Sequence, residues 1–131
     1  MKKTAEIVEA LKRMGYNPEI DEDGDVYLIY EMKAILFLMD DDGESYCSVR
    51  LLKVYEMDEE DALKVLAACN KLNRERRVVK TYIEEDFKSI SAAYEFYYDD
   101  NSSLDNNIEK ALALLGIIRT LFRRTLVELS E

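Results

Sequence analysis

Apolar positions along this chain recur at two spacings, and the places where one gives way to the other mark its elements. Ile7, Val8, Leu11 and Met14 form one stripe of a helix over about residues 3–14. Gly15 stands where a left-handed cap closes such a helix, and Pro18 keeps it from resuming. β-rich segments follow at 26–30, 34–39 and 46–55, with residues 18–21 a candidate short strand ahead of them. Asp23-Gly24 and Asp42-Gly43 punctuate this region, because Asp-Gly accepts the positive φ of a tight turn. Both faces of 26–30 and of 35–39 are apolar, which predicts central strands covered on both sides.

Asp58 is the expected N-cap of a second helix, with Glu59, Glu60 and Asp61 matching the dipole of its first turn. Ala62, Val65, Leu66 and Cys69 supply its buried face, and Asn70 and Asn73 mark its end. The charged connector Arg74-Glu75-Arg76-Arg77 leads into a strand from Val78 to Glu84, then another over 88–98. In the latter, Ile90, Ala92, Tyr94, Phe96 and Tyr98 alternate with Ser89, Ser91, Ala93, Glu95 and Tyr97, the pattern of a sheet edge or a half-exposed sheet. A last helix, capped by Ser102 or Ser103, begins near Leu104 and runs nearly to the end. It is apolar around so much of its circumference that it must be buried on more than one side. Gly116 in its middle costs ~1 kcal/mol against alanine, which implies that another element approaches closely there.

The order is therefore helix, three or four strands, helix, two strands, helix. It predicts a single α+β domain over 1–131 in which a twisted antiparallel sheet packs against helices, in an α-β-β-β-α-β-β-α plan. The junction Asn70-x-x-Asn73-Arg74-Glu75-x-Arg77, with Lys80 and Tyr82 just beyond it, resembles the YbjN-like family of bacterial sensory transduction regulators. That family looks like the type III secretion chaperones in fold, so the resemblance implies the secretion-chaperone-like version of this plan and a dimeric habit. It implies no reaction, signal or cofactor.

Composition narrows the function. At 131 residues the chain has room for one core, large enough to fold without disulfides or metal. A net charge of −10 opposes binding to nucleic acid and to anionic membrane surfaces, and suits basic or amphipathic protein partners. Cys47 and Cys69 lack metal-type spacing and read as buried free thiols in a reducing cytoplasm. The N-terminal MKKTAEIVEA lacks the uninterrupted apolar core of a secretory signal, and the apolar run 111–118 is too short for a membrane span.

Candidate chemistry is sparse. The runs Asp21-Glu22-Asp23-Gly24-Asp25 and Asp40-Asp41-Asp42-Gly43-Glu44 put glycine at the fourth position rather than the sixth, so they read as turns and not as calcium loops. There is no histidine, which removes the commonest general base and metal ligand, and no glycine-rich phosphate loop. The reading is non-enzymatic, with no catalytic, metal or cofactor site. A carboxylate-based enzyme and a regulator sensing a small ligand between sheet and helix are the alternatives. Arg74, Arg76, Arg77 and Lys80, and likewise Arg119, Arg123 and Arg124, are basic islands expected to pair with the chain's own carboxylates.

The candidate partner-binding set is Asn70, Asn73, Arg74, Arg77, Lys80 and Tyr82 at the junction, with an aromatic ladder of Tyr94, Phe96 and Tyr98. Excess apolar surface at Leu114, Leu115, Gly116, Ile118 and Phe122 predicts a homodimer through the last helix. The function these features suggest is protein binding, as a small acidic chaperone-like or regulatory adaptor.

Overall fold

The computed structural model describes residues 3–131. The elements are α1 (Thr4–Arg13), β1 (Glu19–Ile20), β2 (Val26–Tyr30), β3 (Lys33–Leu38) and β4 (Tyr46–Glu56), followed by α2 (Ala62–Glu75), β5 (Val79–Ile83), β6 (Ser89–Tyr97) and α3 (Asn101–Ser130). All strand pairs are antiparallel and the sheet order is β1-β2-β3-β4-β6-β5. The predicted α+β plan is the observed one, with 18–21 contributing the short edge strand β1.

Register decides which residues share a face. Val26 lies opposite Phe37, Phe37 opposite Val49, Val49 opposite Tyr94, and Tyr94 opposite Val79. This row is buried throughout, and every helix lies over it. Tyr98 donates to Glu6 of α1, Thr81 donates to the Cys69 carbonyl of α2, and the Tyr55 ring packs 5.3 Å from Phe122 of α3. The core is the single layer between this sheet face and the three helices.

The other face carries no helix. The expectation that β2 and β3 would be covered on both sides is therefore corrected: Ile29 is 61% exposed, and Leu36 and Leu38 are half-buried. The three helices have all settled on the same side of one antiparallel sheet, leaving the second apolar row without a lid. Nor is β6 an edge; it lies between β4 and β5.

Several local readings change in physical terms. α2 extends to Glu75, so Asn70 sits inside the helix, exposed, rather than at its end. Asp58 precedes a short 3₁₀ turn, Glu59–Asp61, and its side chain makes no cap hydrogen bond. Leu66 is turned outward, and Ala68 and Leu72 join Val65 and Cys69 in the core instead. α3 is capped by Asp100, whose carboxylate accepts from the Ser103 N–H at 2.8 Å while Ser103 Oγ accepts from the Asp100 N–H. Ser103 thus belongs to the capping box but is not the cap.

α1 ends as expected, and Gly24 and Gly43 hold φ of 83° and 82° in their turns. The tight turn without a glycine is Glu31-Met32, whose φ values of 48° and 67° join β2 to β3 in a two-residue hairpin. Left-handed backbone at such residues costs roughly 1–2 kcal/mol each. This turn docks on α3: a Cβ built at Gly116 would come within 2.9 Å of Glu31 Oε1 and 3.3 Å of a Tyr30 ring carbon. The close approach inferred from Gly116 is thus made by the β2–β3 hairpin. α3 is also tied to its neighbours by Arg13–Asp105 at 2.6 Å and Lys71–Glu128 at 2.9 Å.

Gly116→Leu should displace the hairpin and cost about 1–3 kcal/mol of unfolding free energy in urea titration. Gly116→Ala should be near neutral, because the atom it meets first is the flexible end of Glu31. Leu115→Asp would place a carboxylate at a fully buried position and should prevent folding, seen as loss of a cooperative transition.

Candidate functional site: the uncovered sheet face

Alternation along each strand sends every second side chain to the uncovered face. Tyr27 and Ile29 of β2 meet Leu36 and Ala34 of β3; Leu36 and Leu38 meet Arg50 and Ser48 of β4. Ser48 and Arg50 face Glu95 and Ala93 of β6, and Ala93 faces Lys80 of β5. The result is an apolar field over β2 and β3 that grades into a polar network over β4, β6 and β5.

Glu95 is the hub of that network. It accepts from Tyr46 Oη at 2.6 Å and pairs with Lys80 Nζ at 2.7 Å, while Arg50 stays at 3.7 Å and donates from Nε to Ser48 Oγ at 2.9 Å. Burial acts to raise the Glu95 pKa, but the hydrogen bonds from Lys80 and Tyr46 outweigh it and hold the carboxyl below its ordinary value. Burial and the bond to Glu95 push the Tyr46 phenol up. Tyr46 and the 70% exposed Tyr97 pack with ring centroids 5.2 Å apart and planes tilted by 52° at one end of the face.

At the other end the face drops into a groove of about 600 Å³, lined by Arg50, Leu52, Tyr82 and Ser91 and rimmed by Glu84 and Asp86. β4 is irregular here: three residues lie between Leu51 and Tyr55 where β6 has only Ser91 between their partners Ala92 and Ile90, and Lys53 takes a φ of 54°. Ser91 is fully buried, and among the described residues neither its Oγ nor the Tyr82 Oη has a hydrogen-bond partner. Burial raises the Tyr82 pKa against a lowering influence of nearby Arg50, yet no bond of acceptable geometry joins the two. Lys53 also borders a second hollow, of about 430 Å³, beside Glu56, Arg119 and Arg123. A groove of about 600 Å³ therefore opens on the uncovered face, while the hollow between β4 and α3, where a sensing pocket was expected, is the smaller one of about 430 Å³.

The predicted partner-binding residues separate into three groups. Lys80 and Tyr82 do lie on the uncovered face. Asn70, Arg74 and Arg77 are exposed on and after α2, whose inner side faces the core. Asn73 is a staple: its Oδ1 accepts from the Thr81 N–H at 2.8 Å and from Thr81 Oγ1 at 2.9 Å, and its Nδ2 donates to the Thr81 carbonyl at 3.1 Å. Tyr94, Phe96 and Tyr98 are the correction. They belong to the row under the helices and are nearly buried, so they form core and not a docking ladder. The exposed aromatic of that strand is Tyr97, their alternate.

Of the predicted dimer residues, Leu115, Ile118 and Phe122 are completely enclosed by the chain's own core and present no surface to a second copy. Leu114 and Gly116 are half-buried, and Gly116 is occupied by the hairpin. The basic islands also differ from expectation. Lys80 finds Glu95, but among the described residues no ion pair forms at Arg74, Arg76, Arg77, Arg119, Arg123 or Arg124.

The two thiols are core hydrophobes, and burial raises the pKa of both. The Asp21, Asp23 and Asp25 carboxylates lie within 4.8 Å of one another, and Asp21 Oδ1 accepts the backbone N–H of Asp23 and of Asp25. Among the described residues no helix is long and apolar enough to cross a membrane. Sequence reasoning missed Tyr46, Arg50 and Glu95 as a site; the available signal was polar residues at alternate positions of strands whose other positions are apolar.

A one-face-open antiparallel sheet backed by three helices is the architecture of the secretion-chaperone class. The chain matches the family model "YbjN: Putative bacterial sensory transduction regulator" over residues 4–117 and belongs to that family. Its fold is similar to that of YbjN from E. coli, with a TM-score of 0.66 at 9% identity over 85% of this chain and 84% of that one. It is also similar to the Yersinia pestis type III secretion chaperone SycH, solved with a stable fragment of YscM2, with a TM-score of 0.59 at 10% identity over 90% and 98% of the two chains. A third neighbour is an uncharacterized protein from Methanothermobacter thermautotrophicus, with a TM-score of 0.52 at 13% identity over 91% and 98%. Comparison with curated proteins gives no match.

The lowered pKa of Glu95 has a defined sign. Its contribution to stability is complete above the ordinary glutamate value near 4.5 and is lost as pH falls through the folded-state value. Glu95→Gln should therefore flatten the acid side of a stability-against-pH curve measured by urea unfolding; an unchanged acid limb would show that the network adds nothing.

Proposed function

We propose that this protein is a non-enzymatic binding domain, a small acidic chaperone-like or regulatory adaptor that holds a segment of a protein partner on its uncovered sheet face. The observation that carries the reading is the second apolar row, Tyr27, Ile29, Leu36 and Leu38, over which no helix of the described residues lies. Apolar surface of this kind gains roughly 25 cal/mol per Å² on burial, and a partner can realise that gain. The flanking Lys80–Glu95–Tyr46 network offers polar contacts at the rim of such an interface.

Family membership and the likeness to a chaperone solved with a bound fragment support the reading. The absence of histidine and the unreactive thiols support a role without catalysis, and two free cysteines fit a cytoplasmic setting. Ile29→Asp with Leu36→Asp should abolish retention of a partner that the wild-type protein captures stoichiometrically from its native cytosol, with circular dichroism and Tm unchanged. A partner retained equally by both proteins would remove this face from the proposal.

The homodimer is part of the same proposal, moved from α3 to the outer side of α2. Leu63 and Leu66 there are 83% and 51% exposed, one turn apart. Light scattering should give twice the monomer mass for the wild type and the monomer mass for Leu63→Asp/Leu66→Asp; a wild-type monomer at micromolar concentration would end the dimer reading.

A further inference from the structure

We infer that the groove at the β4 irregularity is a binding site for a free amino acid with an apolar side chain. This goes beyond the protein-binding proposal and does not depend on it, because the groove lies past the apolar field of β2 and β3 and is complete in one chain. The first observation is unspent hydrogen-bonding capacity. Ser91 is fully buried with no partner for its Oγ, and the buried Tyr82 Oη also lacks one. Hydroxyls kept from both water and protein are destabilising, and a ligand that accepts from them relieves the penalty.

The second observation is the charge beside them. Arg50 also lines the groove, and its nominal counter-ion Glu95 is engaged by Lys80 and Tyr46 at 2.7 and 2.6 Å, against 3.7 Å to Arg50. Its guanidinium fork therefore keeps donors free, and such a fork fits a carboxylate. A carboxylate seated against Arg50 would meet the guanidinium directly, and would accept from the Tyr82 and Ser91 hydroxyls, closed to water in the free protein, once these rotate toward it.

The rim gives the other half of the ligand. Glu84, Glu85 and Asp86 border the same groove, so a purely anionic molecule would meet three carboxylates on leaving the Arg50 end. An ammonium group on the ligand turns that repulsion into attraction. Leu52 and the Tyr82 ring supply apolar wall, and about 600 Å³ is within the range of small-molecule sites. Carboxylate, ammonium and an apolar side chain together describe an amino acid.

The test uses the intact purified protein and each proteinogenic amino acid in turn, read by amide chemical shifts and Tm. Saturable shifts at residues 50–53 and 82–91 are expected from one or more apolar amino acids at up to about 10 mM, ten times a Kd of about 1 mM. The amide of the best ligand, lacking the carboxylate, and its deaminated acid, lacking the ammonium, should each bind at least tenfold more weakly. Arg50→Ala should abolish the shifts. Ser91→Ala should weaken binding about tenfold while raising the Tm of the free protein by about 2–5 °C, since it deletes an unpartnered buried hydroxyl. The inference is overturned if no amino acid gives saturable shifts, if either analogue binds as well as its parent, or if Ser91→Ala lowers the Tm of the free protein.

Discussion

α3 reaches from α1 to α2 across β4 and β6, and the remainder of the structure depends on its burial. Thirty residues of helix span about 45 Å, enough to cross the sheet. Ten of its side chains are buried, among them Leu104, Ile108, Leu115, Ile118 and Phe122, and they complete a core that α1 and α2 only flank. Its ends are tied by Arg13–Asp105 and Lys71–Glu128, and its middle receives the β2–β3 turn at Gly116. The exposed ion pairs add little individually. The hairpin docking matters more, because it holds a turn whose backbone is unfavourable at both Glu31 and Met32.

Placing α3 beside α1 and α2 commits all helical cover to one side. The opposite side must then tolerate water although half of its strand positions were written with apolar residues. It does so unevenly. Over β4, β6 and β5 the face is made polar by a carboxylate shared between a phenol and an ammonium, with an arginine held near but not engaged. Over β2 and β3 the compensation is confined to Tyr27, which donates to Glu19, and Ile29, Leu36 and Leu38 have none. That imbalance is the observation on which the proposed partner-binding role rests, since a solvated face gains nothing from Leu36 and Leu38.

Irregular backbone gathers where this face ends. Lys53 in the β4 irregularity and Phe87 in the β5–β6 hairpin both hold positive φ, at 54° and 59°. The grooves on either side of the irregularity meet at Lys53. An ideal ladder would have paired these residues and closed the hollow. The extra length in β4 instead opens a cavity against β5 and β6 and leaves Ser91 and Tyr82 facing it without partners.

What the sequence determined by itself is local and periodic. Alternation along 88–98 sorted its residues correctly into two rows, Gly116 announced a close approach, and the Asp-Gly pairs announced two turns. The element order followed, and the Asn70–Arg77 junction pointed to the family. What only the tertiary structure decided is which row of each element is covered. Tyr94, Phe96 and Tyr98 lie under the helices and Tyr97 does not; Leu115, Ile118 and Phe122 face the sheet, while Leu63 and Leu66 face out. Periodicity states which residues share a face, because that is fixed by backbone geometry within one element. Whether that face meets a helix, water or a partner depends on where α1, α2 and α3 come to rest, and that is set by contacts between residues far apart in the chain. The Glu95 network and the Arg50 groove are assembled from β4, β5 and β6, and so they exist only once the sheet is formed.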